Sequence, residues 1–288
     1  MNDKPVYRKW VGILLGINLC GSAHYLSGKR MAGIKWYTGI FACGSVGMAF
    51  VATPGTIPFI LGVAFVLFSV ALWFVMLKQS YRPVRRIGFL GWLWVIGLAV
   101  ILNYGLKFCV RQFILPFKVP TCAMSPTIIP GDHLFAERLS YRFGRPKRGD
   151  IVVFRTNGIT NLSPNTIYIK RIAGLPGDHI RIAPPNLLIN DHKVTEPKIF
   201  TTISNESDGY SGFQHGGKLS SSKLECILKE DEYFVLGDNT KNSRDSRYWG
   251  AVPEENIIGK ATRIYWPLTR INALRKKRPT NFRNKIDQ

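Results

Sequence analysis

The sequence predicts N-terminal transmembrane α-helices followed by a mainly-β extracytoplasmic domain. Three observations point there. Long apolar runs are confined to about the first 110 of the 288 residues. From Phe117 onward, short β-type runs alternate with turn signals. Basic residues collect in some of the loops between apolar runs and are absent from another, which gives the chain an orientation across a bilayer.

Residues 1–110 read as a membrane anchor. Three stretches approach the ~20 apolar residues that carry a helix across ~30 Å of hydrocarbon. Residues 36–52 are nearly uncharged, 57–77 carry no charge, and 87–106 have only Asn103 as a strongly polar residue. None shows the polar face that a buried helix of a soluble protein would turn to water. Residues 11–26 are a weaker stretch, interrupted by Asn18, Ser22 and His24. The loop 53–56 is uncharged and fits the outside, whereas Lys78, Arg82, Arg85 and Arg86 mark the next loop as cytoplasmic. Lys29, Arg30 and Lys35 precede the first full span, and Lys4, Arg8 and Lys9 favour a cytoplasmic N-terminus. The expectation is that 11–26 does not cross, and that everything after Leu106 is extracytoplasmic. A cleavable signal peptide does not fit, because further spans follow the first apolar stretch.

Residues 117–267 read as the β domain. Apolar runs at 151–154, 166–169, 187–189, 233–236 and 264–266 are the expected strands. They are punctuated by Arg148-Gly149-Asp150, Asn190-Asp191 and Gly237-Asp238-Asn239. Residues 199–224 are Ser/Gly-rich and polar, which reads as a long loop or small insertion. Residues 268–288 form a basic tail, more simply solvated and partly disordered than a dedicated lipid-binding element.

The formal charge of +21 suits an anionic partner. Beside such apolar runs, an anionic phospholipid membrane is the simpler one. No zinc-finger spacing or aromatic-basic RNA motif supports nucleic acid. Of five cysteines, Cys20, Cys43 and Cys109 lie in apolar stretches, and whether Cys122 and Cys226 pair is open. No CxxC or Cys/His cluster supports a metal, and no cofactor is implied.

Most catalytic patterns are missing, including G-x-S-x-G and H-E-x-x-H. Ser220-Ser221-Ser222-Lys223 matches S-x-x-K inside a polar loop with no K-T-G partner, so it is taken as chance. Asp238, Asn242 and Asp245 lack the glycine and spacing of a calcium loop. Three stretches stand out in order. They are Pro120-Thr121-Cys122-Ala123-Met124-Ser125-Pro126-Thr127-Ile128, then Tyr168-Ile169-Lys170-Arg171-Ile172-Ala173-Gly174 with Pro176-Gly177-Asp178, then Gly237-Asp238-Asn239 through Ser243-Arg244-Asp245-Ser246-Arg247.

Together these stretches resemble the bacterial type I signal peptidases, membrane-anchored Ser/Lys proteases, over about residues 117–267. The resemblance implies a signal peptidase-like β fold and peptide hydrolysis after a small-residue site in exported preproteins. It implies signal peptides as partners and a multi-pass place in the bacterial cytoplasmic membrane. By the same resemblance, position 123 is the nucleophile, Lys170 the general base and Thr121 an oxyanion donor. Ser243 orients the lysine amine, and Asp238, Asp245 and Arg247 hold the site together. Ile169 and Ile172 flank Lys170 and offer it an apolar wall, which lowers a lysine pKa.

The departure is Ala123, because a methyl group cannot attack a carbonyl. Three readings stay open: an engineered knock-out of an active enzyme, a naturally inactive signal-peptide-binding pseudoprotease, or takeover by a neighbour. Cys122 and Ser125 are the neighbours with usable atoms. In an extended strand, Cys122 would face away and Ser125 would lie ~7 Å along. The chain as written is expected not to cleave preproteins.

Overall fold

The computed structural model describes residues 6–52, 56–86 and 114–274 continuously, with isolated positions between 88 and 111. The expected span 87–106 therefore lies largely outside the described residues, as do 53–55, Lys4, Cys109 and the tail from 275. The chain divides into two compact units, Met1–Phe113 and Ile114–Gln288.

In the first unit, β1 (Val6–Tyr7) pairs antiparallel with β2 (Val84–Arg85). The stretch 11–26 is split between α1 (Lys9–Asn18) and α2 (Ser22–Leu26). Ten helical residues rise about 15 Å, half the thickness of a hydrocarbon core. Then come α3 (Arg30–Ala52) and α4 (Thr56–Gln79), both long and apolar enough to cross a membrane. Each begins before the apolar run that forecast it. Arg30 and Lys35 are good helix formers, and Pro58 sits in the first turn of α4, where its missing N–H costs nothing. The two helices touch closely where Gly47 meets Gly62. A Cβ on Gly62 would stand 2.5 Å from the Val51 nitrogen, so no larger residue fits that crossing.

The second unit is mainly β. Its strands are β3 (Ile114–Lys118), β4 (His133–Glu137), β5 (Ile151–Arg155), β6 (Ile167–Gly174) and β7 (His179–Ala183). They continue with β8 (Asn186–Ile189), β9 (His192–Lys193), β10 (Glu225–Ile227), β11 (Glu232–Leu236), β12 (Val252–Pro253), β13 (Ile257–Trp266) and β14 (Asn272–Ala273). One sheet runs β12-β11-β6-β5-β13-β4-β3, with β14 on β13, and a smaller one runs β10-β7-β8-β9. All pairings are antiparallel. The strand β5 is buried along Ile151-Val152-Val153-Phe154, which explains its β-branched, unalternating sequence.

Alternation along β6 feeds two cores. Ile172 and Tyr168 join Val152, Phe154, Tyr233, Val235 and Trp249. Ile169 joins Val119, Met124, Ile128, Leu134 and Ile151 beneath the 121–128 segment. A third core lies under the smaller sheet and contains Phe200, Ile203, Phe213 and Leu219.

Those four residues correct the expectation for 199–224. The stretch begins with a helix, Ile199–Ser204, and its apolar minority is driven inside even though its composition is polar. The expected tail also starts later than 268. Leu268–Arg270 forms a 3-10 turn, β14 pairs with β13, and Arg270 grips Asp132 through Nε at 2.7 Å. Cys20, Cys43, Cys122 and Cys226 are all free, so Cys122 and Cys226 do not pair.

Candidate active site

Strand pairing sets the frame of the site. In β6, Lys170 stands opposite Val152 and Arg171 opposite Ile151 of β5. Adjacent strand residues point to opposite faces. Lys170 therefore shares its face with Tyr168 and Ile172, whose core Val152 also joins, while Ile169 packs on the other side. The expected apolar wall exists, but Tyr168 and Val152 supply what Ile169 was expected to give. The Lys170 Nζ lies 5.8 Å from the Tyr168 ring centroid.

On the other flank of β6, Leu236 of β11 pairs with Arg171. The chain then leaves β11 as Gly237-Asp238-Asn239. Arg171 grips Asp238 in a fork, Nε to Oδ1 at 2.7 Å and Nη2 to Oδ2 at 2.6 Å, and its Nη1 donates to the Gly149 carbonyl at 2.8 Å. Burial works against the Arg171 charge, but the Asp238 carboxylate beside it more than compensates and holds its pKa above the ordinary value. The Thr127 hydroxyl also donates to Asp238, and it shares a 2.8 Å hydrogen bond with the Tyr210 hydroxyl.

Asn239 then clamps the segment carrying position 123. Its backbone N–H donates to the Ala123 carbonyl at 3.1 Å, and its side-chain amide donates to the Cys122 carbonyl at 3.2 Å. Gly237 is where these pieces meet. A Cβ there would fall 2.1 Å from the Ser243 Oγ and 2.5 Å from the Ala123 carbonyl oxygen, so only glycine lets both approach. The Ser243 Oγ is buried and, among the described residues, has no hydrogen-bond partner.

Asp245 and Arg247 hold this turn from behind. Asp245 accepts from the Gly237 N–H at 3.0 Å and caps the short helix Ser246–Trp249. Arg247 binds Asp245 through Nε at 2.8 Å and Nη2 at 2.9 Å. It also donates to the carbonyls of Gln214, Thr240 and Ser243. Both side chains are essentially inaccessible, and each Arg247 nitrogen has a protein partner.

Lys170 is 5% exposed. Burial pulls its amine below the ordinary lysine range, against the opposing pull of Asp245 and Asp238, with Arg247 adding to the lowering. The result is a nitrogen that gives up its proton more readily than a surface lysine. Ala123 is buried, whereas Thr121 and Cys122 are exposed. Among the described residues, neither the Ala123 N–H nor the Thr121 hydroxyl makes a hydrogen bond.

The structure thus brings Ala123, Asp238, Ser243, Asp245 and Arg247 together through contacts, with Lys170 in the field of both carboxylates and Thr121 two residues from Ala123. The extended-strand expectation for 121–125 does not hold. Residues 122–127 form turns, with the Ser125 N–H bonded to the Cys122 carbonyl at 2.9 Å and the Ile128 N–H to that of Met124 at 2.9 Å. Pro126 has no N–H for a ladder, and the Asn239 clamp holds the bend. Sequence reasoning gave no role to Arg171, Thr127, Gly237, Tyr210 or the Gln214 carbonyl. The first three stand in or beside the quoted motifs, while the last two come from the stretch expected to be a loop. Among the described residues, no three His, Cys, Asp or Glu side chains are grouped to hold a metal ion.

Comparison with known proteins gives a consistent set. The family described as signal peptidase, peptidase S26 matches residues 89–266. A signal peptidase I from Leptolyngbya laminosa is 36% identical over 183 residues, covering 62% of this chain and 80% of the relative. A probable signal peptidase I-2 from Synechocystis is 35% identical, covering 61% and 72%. A signal peptidase IB from Staphylococcus aureus is 30% identical, covering 61% and 90%. The crystal structure of a signal peptidase I from Enterococcus faecalis is 29% identical, with a TM-score of 0.31 over 40% of this chain and 96% of that one.

Proposed function

The chain belongs to the signal peptidase (peptidase S26) family, and from that premise we propose that its C-terminal unit is a Ser/Lys cleavage site for the signal peptides of exported preproteins, disabled at its nucleophile. The observation that carries this is a buried lysine amine, relieved of part of its proton affinity, in a site where an unpartnered serine hydroxyl and the carbonyl of position 123 close on Gly237.

In the competent form, a serine hydroxyl at position 123 attacks the scissile carbonyl while Lys170 takes its proton. The resulting oxyanion meets the backbone N–H of position 123 and the Thr121 hydroxyl. Lys170 then hands the proton to the leaving amine, and water releases the acyl group by the same route in reverse. Ser243 supplies an oxygen to orient the amine. Asp238, Asp245 and Arg247 fix the backbone of the motif that clamps position 123. With Ala123 in place, the first step has no nucleophile, and a loss on the order of a millionfold is the scale for such a deletion.

The apolar helices α3 and α4 support a multi-pass location in a bacterial cytoplasmic membrane, and the net charge of +21 supports contact with anionic phospholipid. Ala123→Ser in the full chain, assayed on a preprotein, tests the proposal. We expect signal-peptide cleavage that disappears again on adding Lys170→Ala. Binding of the preprotein with no cleavage by Ala123→Ser would instead establish a pseudoprotease. Cleavage by the Ala123 form that requires Lys170 would overturn the disabled-nucleophile reading.

A further inference from the structure

Among the exposed large hydrophobic side chains, Phe143 is the barest at 83%. It follows the short helix Leu139–Arg142, on which Leu139 is also exposed. The chain between Glu137 and Asp150 contains Arg138, Arg142, Arg145, Lys147 and Arg148 and no acidic residue. Arg148 is engaged by Asp178 at 3.0 Å. The other four make no salt bridge among the described residues. The acids that flank them are already occupied: Glu137 accepts from the Ser140 N–H, and Asp150 is paired with Lys260 at 2.6 Å.

The base of this turn is fixed. Tyr141 packs against the Val152–Tyr233 core and donates its hydroxyl to Asp150 at 3.1 Å. The Lys147 N–H donates to the same carboxylate at 3.2 Å, and Pro146 is buried. Phe143 thus projects from a held loop whose sequence carries four basic residues that make no salt bridge among the described residues.

We propose that residues 138–147 dock on an anionic bilayer, with Phe143 entering the boundary between headgroups and acyl chains and the four basic side chains engaging lipid phosphates. An exposed aromatic tip on a basic segment is the combination an anionic interface accommodates. The charge selects an anionic occupant. The exposed Phe143, with Leu139 beside it in the sequence, selects a lipid interface, which takes up a lone aromatic next to basic side chains. The proposal rests on the membrane location argued above, and the test separates the two.

Phe143→Cys in the full chain is labelled with an environment-sensitive fluorophore and reconstituted into vesicles with phosphatidylglycerol or with phosphatidylcholine alone, each with bromine-quenched acyl chains. The unsubstituted chain, labelled in parallel, sets the background from Cys122. Lys229→Cys, at a side chain 81% exposed, is the control position. The expected result is a blue-shifted label in phosphatidylglycerol vesicles, quenched about twofold more than the control and released by high salt or by Arg142→Glu with Arg145→Glu. A label as wet as the control, on a chain that still floats with the vesicles after alkaline washing, overturns the docking proposal and leaves the membrane location standing. A chain stripped from the vesicles by that wash overturns both. Equal quenching in neutral vesicles overturns the role of the cations. A label buried in detergent without lipid, in proportion to protein concentration, shows a second copy as the occupant and also overturns it.

Discussion

Lys170 loses its proton more readily folded than unfolded, because burial disfavours its ammonium form more than Asp245 and Asp238 favour it. The unfolded chain therefore binds more protons between the lowered pKa and the ordinary lysine value of about 10.4. Stability must rise with pH across that window. Lys170→Met removes that pH dependence, so the stability of the parent minus that of the mutant, followed by denaturant melts from neutral to alkaline pH, should increase as pH rises. A pH-independent difference would mean that the amine titrates normally. The same shift sets an activity limb. In Ala123→Ser, the cleavage rate should climb with pH and level off below the pH at which a surface lysine deprotonates. At this scale the sequence was largely legible, because Ala123, Lys170, Ser243, Asp238, Asp245 and Arg247 lie in three ordered motifs. Two things were not. The bend at 122–127 depends on the distant Asn239, and the pleat gives Lys170 the ring of Tyr168 rather than Ile169 as its wall.

Between elements, the Arg171–Asp238 fork staples β6 to the turn leaving β11, with both side chains buried. Removing one partner leaves the other charge uncompensated, so Asp238→Ala should cost ~3–5 kcal/mol in a denaturant melt. Tyr210→Phe takes only a hydroxyl from the same network and should cost ~0.5–1.5 kcal/mol. If Tyr210→Phe also lowers cleavage by Ala123→Ser with the melt nearly unchanged, then Thr127 and Asp238 transmit the position of the 199–224 stretch to the site. That stretch was misjudged from composition. Its Ser and Gly content is real, but apart from the i,i+3 pair Phe200 and Ile203, its buried apolar residues Phe213 and Leu219 follow no helical or strand period, and tertiary packing shows that they point inward. Its Gln214 carbonyl takes a hydrogen bond from Arg247, and the Gly212 carbonyl takes one from Thr240. Phe213→Ala should therefore cost ~3–5 kcal/mol, a core-cavity value no solvent-exposed loop residue would reach. A cost near zero would return the stretch to the status of a loop.

At the scale of the whole chain, the open issue is which side of a membrane each part occupies. The helices α3 and α4 are long and apolar enough for two crossings, and residues 87–106 are apolar enough in sequence for a third. The broken pair α1 and α2 offers no single helix long enough for a fourth. Three crossings put the chain's two ends on opposite sides. On the proposed membrane location, the basic cluster Lys78, Arg82, Arg85 and Arg86 would assign the cytoplasm to the loop after α4, with residues 114–288 outside and the N-terminus inside. Two side chains make this measurable. Cys122 is exposed in the second unit, and Tyr81 is 59% exposed just after α4. In intact spheroplasts, a membrane-impermeant maleimide should modify Cys122, while a cysteine introduced as Tyr81→Cys should react only after the membrane is opened. The reverse pattern would invert the topology. Labelling of both from outside would remove the crossing between them, and with it the assignment of residues 87–106 as a span. A reporter at the N-terminus that reads as extracytoplasmic, with Cys122 still labelled from outside, would mean that residues 11–26 cross after all and that the break between α1 and α2 lies within the bilayer.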